Sequence, residues 1–148
     1  KEDQYIKEVL PLLGATHGGK DRKYKYLKTR FRPTRQSHPI QQGLQPIEVE
    51  DEFYYKLKEF KSPSPIIPVM ESKIDEEWHM TAWAWERPQG GRSFGFSGLH
   101  YHGNWELEVY RRLIFQGILW TMQEEIPEDG VNVSIKKEWL NLPESPRK

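Results

Sequence analysis

Residues 78–100, WHMTAWAWERPQGGRSFGFSGLH, hold two runs of alternating side chains on either side of Pro88-Gln89-Gly90-Gly91. A period of two puts His79, Thr81, Trp83 and Trp85 on one face of a strand and Met80, Ala82 and Ala84 on the other. The proline and the two glycines supply the backbone conformations that a tight reversal needs, so a β-hairpin is expected. One face is bulky and the other small, which lets each pack against a layer of helices. If Arg87 and Arg92 close the turn, Trp85 stands opposite Phe94, Trp83 opposite Phe96 and His79 opposite His100. A slip of one residue would move every partner to the other face.

Helical and extended patterns alternate around the hairpin. Tyr5, Ile6, Val9, Leu10 and Leu13 recur at helical spacing over residues 2–13, with Pro11 or Gly14 as the stop. YKYLKTRF at 24–31 suits a strand ended by Pro33, and IIPVM at 66–70 suits a buried one. SHPIQQGL at 37–44 reads as one helical turn, with Ser37 as cap, Pro39 near its start and Gly43 as stop. IEVEDEFYYKL alternates Ile47, Val49 and Asp51 against Glu48, Glu50 and Glu52, a strand entering an acidic corner. Residues 105–123, WELEVYRRLIFQGILWTMQ, form the principal helix, with Asn104 as N-cap and Glu106 and Glu108 in the first turn. Its second half is apolar nearly all round, which predicts burial on more than one side and a close backbone neighbour at Gly117. The division expected is a domain over 1–130 and an extended tail over 131–148, which carries Pro143 and Pro146.

A length of 148 residues is enough for one domain with its own core. The absence of cysteine removes thiol nucleophiles and thiolate metal sites. Lys and Arg total 22, as do Asp and Glu, so attraction to nucleic acid or an anionic membrane would have to be local. Residues 20–35 carry eight basic side chains against Asp21, interleaved with Tyr24, Tyr26 and Phe31. That composition suits a phosphate-tracking groove, but a charged edge strand looks the same, and nucleic acid is not the expected partner. The longest apolar run, LIFQGILW at 113–120, falls well short of the ~20 residues that span a bilayer. The chain starts at Lys1 inside a helical pattern, without an initiator Met, and reads as a fragment or a processed chain.

HPIQQGLQPIEVEDEFYYKL, TAWAWERPQGGRSFGFSGLHYHGNW and YRRLIFQGILWTMQEEIPEDGV, in that order, resemble the ThuA-like (trehalose utilisation) family. There an HPI…GL turn, a DE.Y corner, a W…G.GR.F…GH hairpin and an RRL…GILW helix follow in the same sequence. The resemblance covers about residues 5–130. It implies an α/β fold similar to class I glutamine amidotransferases and flavodoxin, an open, mainly parallel sheet flanked by helices, with the hairpin at 78–100 as an addition. It also implies that the nucleophile elbow of that fold lies before Lys1, that cysteine amidase chemistry is missing, and that the protein serves the use of trehalose or a related disaccharide. Related bacterial members leave the compartment open between cytoplasm and export.

In an open α/β sheet, ligands gather beyond the carboxyl ends of the strands, where His100 would stand if its strand covers 92–99. Resemblance and position together single out His100, Asp51 and Glu52 as catalytic and His38, His102 and Trp105 as substrate contacts, with His79 further out. His100 would serve as general base or proton donor in a hydrolase or isomerase type of reaction, because an imidazole titrates near neutral pH. No cofactor is expected, although His100, His102 and Asp51 are chemically adequate for zinc or manganese. The family commonly shows a single GH, which leaves His102 less involved than His100. The bland alternative is that His100 closes a turn while His102 faces solvent. Trp83 and Trp85 read as core before sugar platforms, and Trp105 is the better stacking candidate. Glu106 and Glu108 would repel a phosphate at the helix start, so a small neutral carbohydrate is expected. The rival is a non-catalytic carbohydrate- or protein-binding module on the same fold.

Overall fold

Short connections fix the direction of one half of the sheet. A computed structural model describes residues 2–141. Strands β1 (Ala15–Thr16), β2 (Lys23–Pro33), β3 (Ile47–Tyr55), β4 (Lys58–Glu59), β5 (Ile66–Ile74), β6 (Glu77–Glu86) and β7 (Arg92–Phe96) lie between helices α1 (Glu2–Leu13) and α2 (Glu108–Thr121). Asp75 and Glu76 alone join β5 to β6, both at positive φ (52° and 66°), as a hairpin turn of the primed type requires. Residues 87–91 join β6 to β7. Links this short reverse a chain, whereas a parallel return needs about a dozen residues or more, usually a helix. The β2–β3 and β2–β5 ladders are antiparallel as well, so every neighbouring pair in the order β3-β2-β5-β6-β7 is antiparallel, and β1 and β4 form a separate antiparallel ribbon.

This corrects the expected open, mainly parallel sheet flanked by helices. Among the described residues no α-helix stands between successive long strands to act as a crossover, only the 3₁₀ turn Pro39–Gln41 between β2 and β3. The sheet also curls. Past β7, Ser97 receives the Tyr54 amide (3.4 Å) and donates its own amide to Thr81 (2.8 Å) and its hydroxyl to the Tyr54 carbonyl (2.8 Å). One residue thus ties the far edge of the sheet to β3, and the result is a half-barrel.

The hairpin at 78–100 forms, in a register one residue from the expected one. Glu86 pairs with Arg92, Trp85 with Ser93, Ala84 with Phe94, Trp83 with Gly95 and Ala82 with Phe96, while His79 faces Ser72 of β5 rather than His100. The reason is volume. Each aromatic side chain meets a small residue, and a Cβ on Gly95 would come within 2.1 Å of the Trp83 ring. Trp83 and Trp85 are buried as read, against the end of α1: the Trp83 indole donates to the Leu13 carbonyl (2.8 Å), and Gly14, at φ 79°, leaves room for Trp85. Gly14, not Pro11, stops that helix; Pro11 lies within it. On the other face α2 closes a core of Phe31, Phe53, Met70, Ile74, Tyr110 and Leu113.

Three details of α2 differ from expectation. The helix begins at Glu108, because residues His102–Glu106 form a 3₁₀ turn, and Asn104 donates to the Glu50 carbonyl (2.9 Å) instead of capping. Gly117 accommodates the Phe94 ring, not a backbone. Phe115, Ile118 and Met122 remain exposed, so the apolar second half is buried on one side only. Beyond it, residue 133 returns to the helix through Arg111, which donates to the Val133 carbonyl (2.8 Å). The side chain of Tyr5 and residues Pro143 and Pro146 lie outside the described residues. No described helix is long and apolar enough to cross a membrane.

Gly95→Ala is expected to cost about 1–3 kcal/mol in denaturant unfolding, since the Trp83 ring is held by burial and by its own hydrogen bond. Unchanged stability would contradict the register.

Candidate functional site

The alternation along β3 sends Asp51 inward and Glu52 outward, so these adjacent acids have different surroundings. Asp51 is fully buried. It accepts hydrogen bonds from the amides of Glu52 (2.9 Å), Leu99 (2.6 Å), His100 (2.9 Å) and Tyr101 (3.4 Å) and from the Tyr110 hydroxyl (2.9 Å). A carboxylate taken from water loses several kcal/mol of hydration, and this set of donors offsets the loss. Burial, and then the Asp51 charge, push the Tyr110 phenol far above its ordinary range and keep it a donor. Leu99 holds φ 71°, a conformation that costs a non-glycine residue about 1–2 kcal/mol and is retained here by its bond to Asp51.

The loop that Asp51 fixes carries His100 to the outer face. There Nδ1 lies 3.5 Å from Glu52 Oε1, and the imidazole is about half exposed while Glu52 is only 6% exposed. Tyr26 stands opposite Glu52 in the β2–β3 ladder, and Tyr24 opposite Tyr54. The Tyr26 hydroxyl is hydrogen-bonded to Glu52, and that carboxylate, with burial adding to it, pushes the phenol up to about 12. Tyr26 meets the His100 ring edge-on (5.2 Å between centroids), Tyr101 meets it likewise (5.2 Å), Tyr24 lies 5.5 Å from Tyr54, and His17 lies 4.7 Å from Tyr54. Glu52 thus sits beneath a collar of tyrosine and histidine rings. In the sequence Tyr24 and Tyr26 belong to a basic stretch, and nothing beside them in the chain points to Glu52. The available signal was their shared period-two face, but only the register with β3 brings that face to Glu52. The same ladder sets Lys28 opposite Glu50 and Arg30 opposite Glu48, so acids interrupt the basic stretch that resembled a phosphate groove.

The other singled-out residues lie elsewhere. The His102 ring bonds the Leu140 carbonyl (2.9 Å), and Trp105 is half-buried beside it, with its carbonyl accepting from Arg111 (2.6 Å). Glu106 pairs with Lys137 (2.8 Å) and Glu108 with Arg112 (2.8 Å). His79 packs on Tyr55 (5.0 Å). Among the described residues no three His, Asp or Glu side chains converge on a metal position, and the suggested trio is divided: His100 faces Glu52, His102 faces Leu140, and Asp51 is encircled by donors.

His38, and not Ser37, caps the turn at Pro39–Gln41: its Nδ1 accepts from Ile40 (3.2 Å), and its amide donates to Gln41 Oε1 (2.9 Å). The ring is buried against Trp120 (4.9 Å), and burial, followed by the Arg92 charge, lowers it from 6.5 to about 4. Because the folded protein resists a proton that the unfolded chain accepts, its contribution is present above pH 6.5 and is lost as pH falls toward 4. His38→Asn, which keeps an acceptor for the cap, is expected to flatten the stability profile between these pH values by on the order of 2 kcal/mol in urea unfolding. An unchanged slope would show that His38 does not titrate there.

Residues 3–121 match the family model of ThuA, described as trehalose utilisation. No curated protein matches the chain. The match takes in both helices and every strand of the curled sheet, and the chain belongs to the ThuA family of trehalose utilisation.

Proposed function

We propose that the protein acts on a small neutral carbohydrate related to trehalose, with His100 as the acid–base group and Glu52 as the residue that orients it. The observation carrying this reading is the 3.5 Å approach of Glu52 Oε1 to His100 Nδ1 inside the tyrosine collar. A carboxylate facing Nδ1 favours the proton on that nitrogen and leaves Nε2 with its lone pair toward solvent. In that state Nε2 takes a proton from a sugar hydroxyl or from a carbon beside a carbonyl, and the imidazolium then returns it to a leaving or developing oxygen. Tyrosine faces suit the C–H surfaces of a sugar ring, and their hydroxyls suit its oxygens.

The preference for a neutral ligand has a new basis. Glu106 and Glu108 are each paired with a cation, so they no longer argue strongly against phosphate. Glu52 does, since a buried carboxylate at the floor of the collar repels an anion. The second reading, a binding module without turnover, is favoured by the exposure of Tyr24, Tyr26 and Tyr101.

His100→Ala and Glu52→Gln are each expected to lower turnover of a trehalose-type disaccharide by about 10²–10⁴-fold, with circular dichroism preserved. Full turnover in His100→Ala would end the catalytic reading. Calorimetric binding retained in a protein with no turnover would establish the module.

A further inference from the structure

A cavity of about 320 Å³ opens between the end of α1, the β1–β4 ribbon and the curled end of the sheet. It adjoins the tyrosine collar in two ways. Tyr54 lines it and also meets Tyr24 and His17 (5.5 and 4.7 Å between centroids). Ser97 and Gly98 line it as well, and the same loop then turns to present His100 to Glu52. A ligand held at His100 therefore has a second compartment beside it.

The chemistry of that compartment differs from that of the collar. Leu13, Leu57, Trp83 and Phe96 supply an apolar wall that Thr16 and His17 complete on the polar side, and two further polar groups are engaged: the Trp83 indole N–H donates to the Leu13 carbonyl (2.8 Å) and the Ser97 hydroxyl to the Tyr54 carbonyl (2.8 Å). A second sugar would bury several hydroxyls against the apolar wall, more than the Thr16 and His17 side chains can meet, and each unpaired one costs roughly 1–3 kcal/mol. An apolar planar group carries no such cost and gains from the aromatic walls. The volume, at the low end of the ~300–1,000 Å³ usual for ligand pockets, suits one ring-sized group.

We infer that this cavity is an aglycone subsite, and that the preferred ligand class is a neutral glycoside carrying one apolar ring on the sugar seated at Glu52 and His100. The inference rests on the reading of Glu52 and His100 as the sugar site. Titration calorimetry of the full chain with phenyl α-glucoside, methyl α-glucoside and trehalose tests it. Phenyl α-glucoside is expected to bind at least about tenfold more tightly than the other two. Leu57→Trp, which fills the cavity, removes that advantage and leaves methyl α-glucoside unchanged, whereas Glu52→Gln weakens all three. Equal affinity for phenyl and methyl glucosides in the unaltered protein overturns the subsite, whatever the variants do. A phenyl preference that survives Glu52→Gln at full strength, with methyl glucoside also unaffected, supports the cavity and instead removes Glu52 from the sugar site.

Discussion

Asp51 is a charge in the interior, and the local architecture answers to it. Its two oxygens draw in the amides of three successive residues, Leu99, His100 and Tyr101, together with the amide of Glu52 and the hydroxyl of Tyr110 at the head of α2. One carboxylate thus joins an edge strand, the loop after the hairpin and the main helix. A residue in the left-handed region, Leu99, is held in place by the same bonds and turns the chain so that His100 emerges on the outer face. Loss of the charge would release the loop before it released the core, since Phe31, Phe53 and Phe96 pack on one another independently of it.

The hairpin supplies the second constraint. Its alternation of large and small residues is complementary only in the register that sets Trp83 over Gly95 and Phe94 and Phe96 beside alanines. That register gives each face of the sheet its own aromatic layer. One layer is sealed by the end of α1, and the other forms the core under α2. The curl at Ser97 follows β7 directly, so the strand that fixes the faces also delivers the loop that carries the candidate site.

Local patterns made much of this legible. The hairpin, the stop at Gly14, the inward placement of Asp51 and most of α2 each depend on residues close together in the chain. The direction of the sheet was not legible in that way. The parallel arrangement came from the resemblance, and the turn that contradicts it, Asp75-Glu76, lacks the glycine or asparagine that usually marks a primed turn. The site was half legible. The period of two places Asp51 and Glu52 on opposite faces, which separates the acid held among backbone amides from the acid that faces His100. Tyr24 and Tyr26 gain their meaning from long-range pairing with Tyr54 and Glu52, which no short window of sequence contains. His38 and His102 are occupied by a cap and by a carbonyl, roles fixed by neighbours folded against them.

The central claim is that an internal carboxylate positions His100 so that an external one, Glu52, sets its proton. Nitrogen-15 NMR of the His100 ring at a pH where the imidazole is neutral reads this directly. The proton is expected on Nδ1, with Nε2 unprotonated, and the ring is expected to shift toward mixed tautomers in Glu52→Gln. A ring protonated on Nε2, or one whose tautomer is indifferent to Glu52, would contradict it.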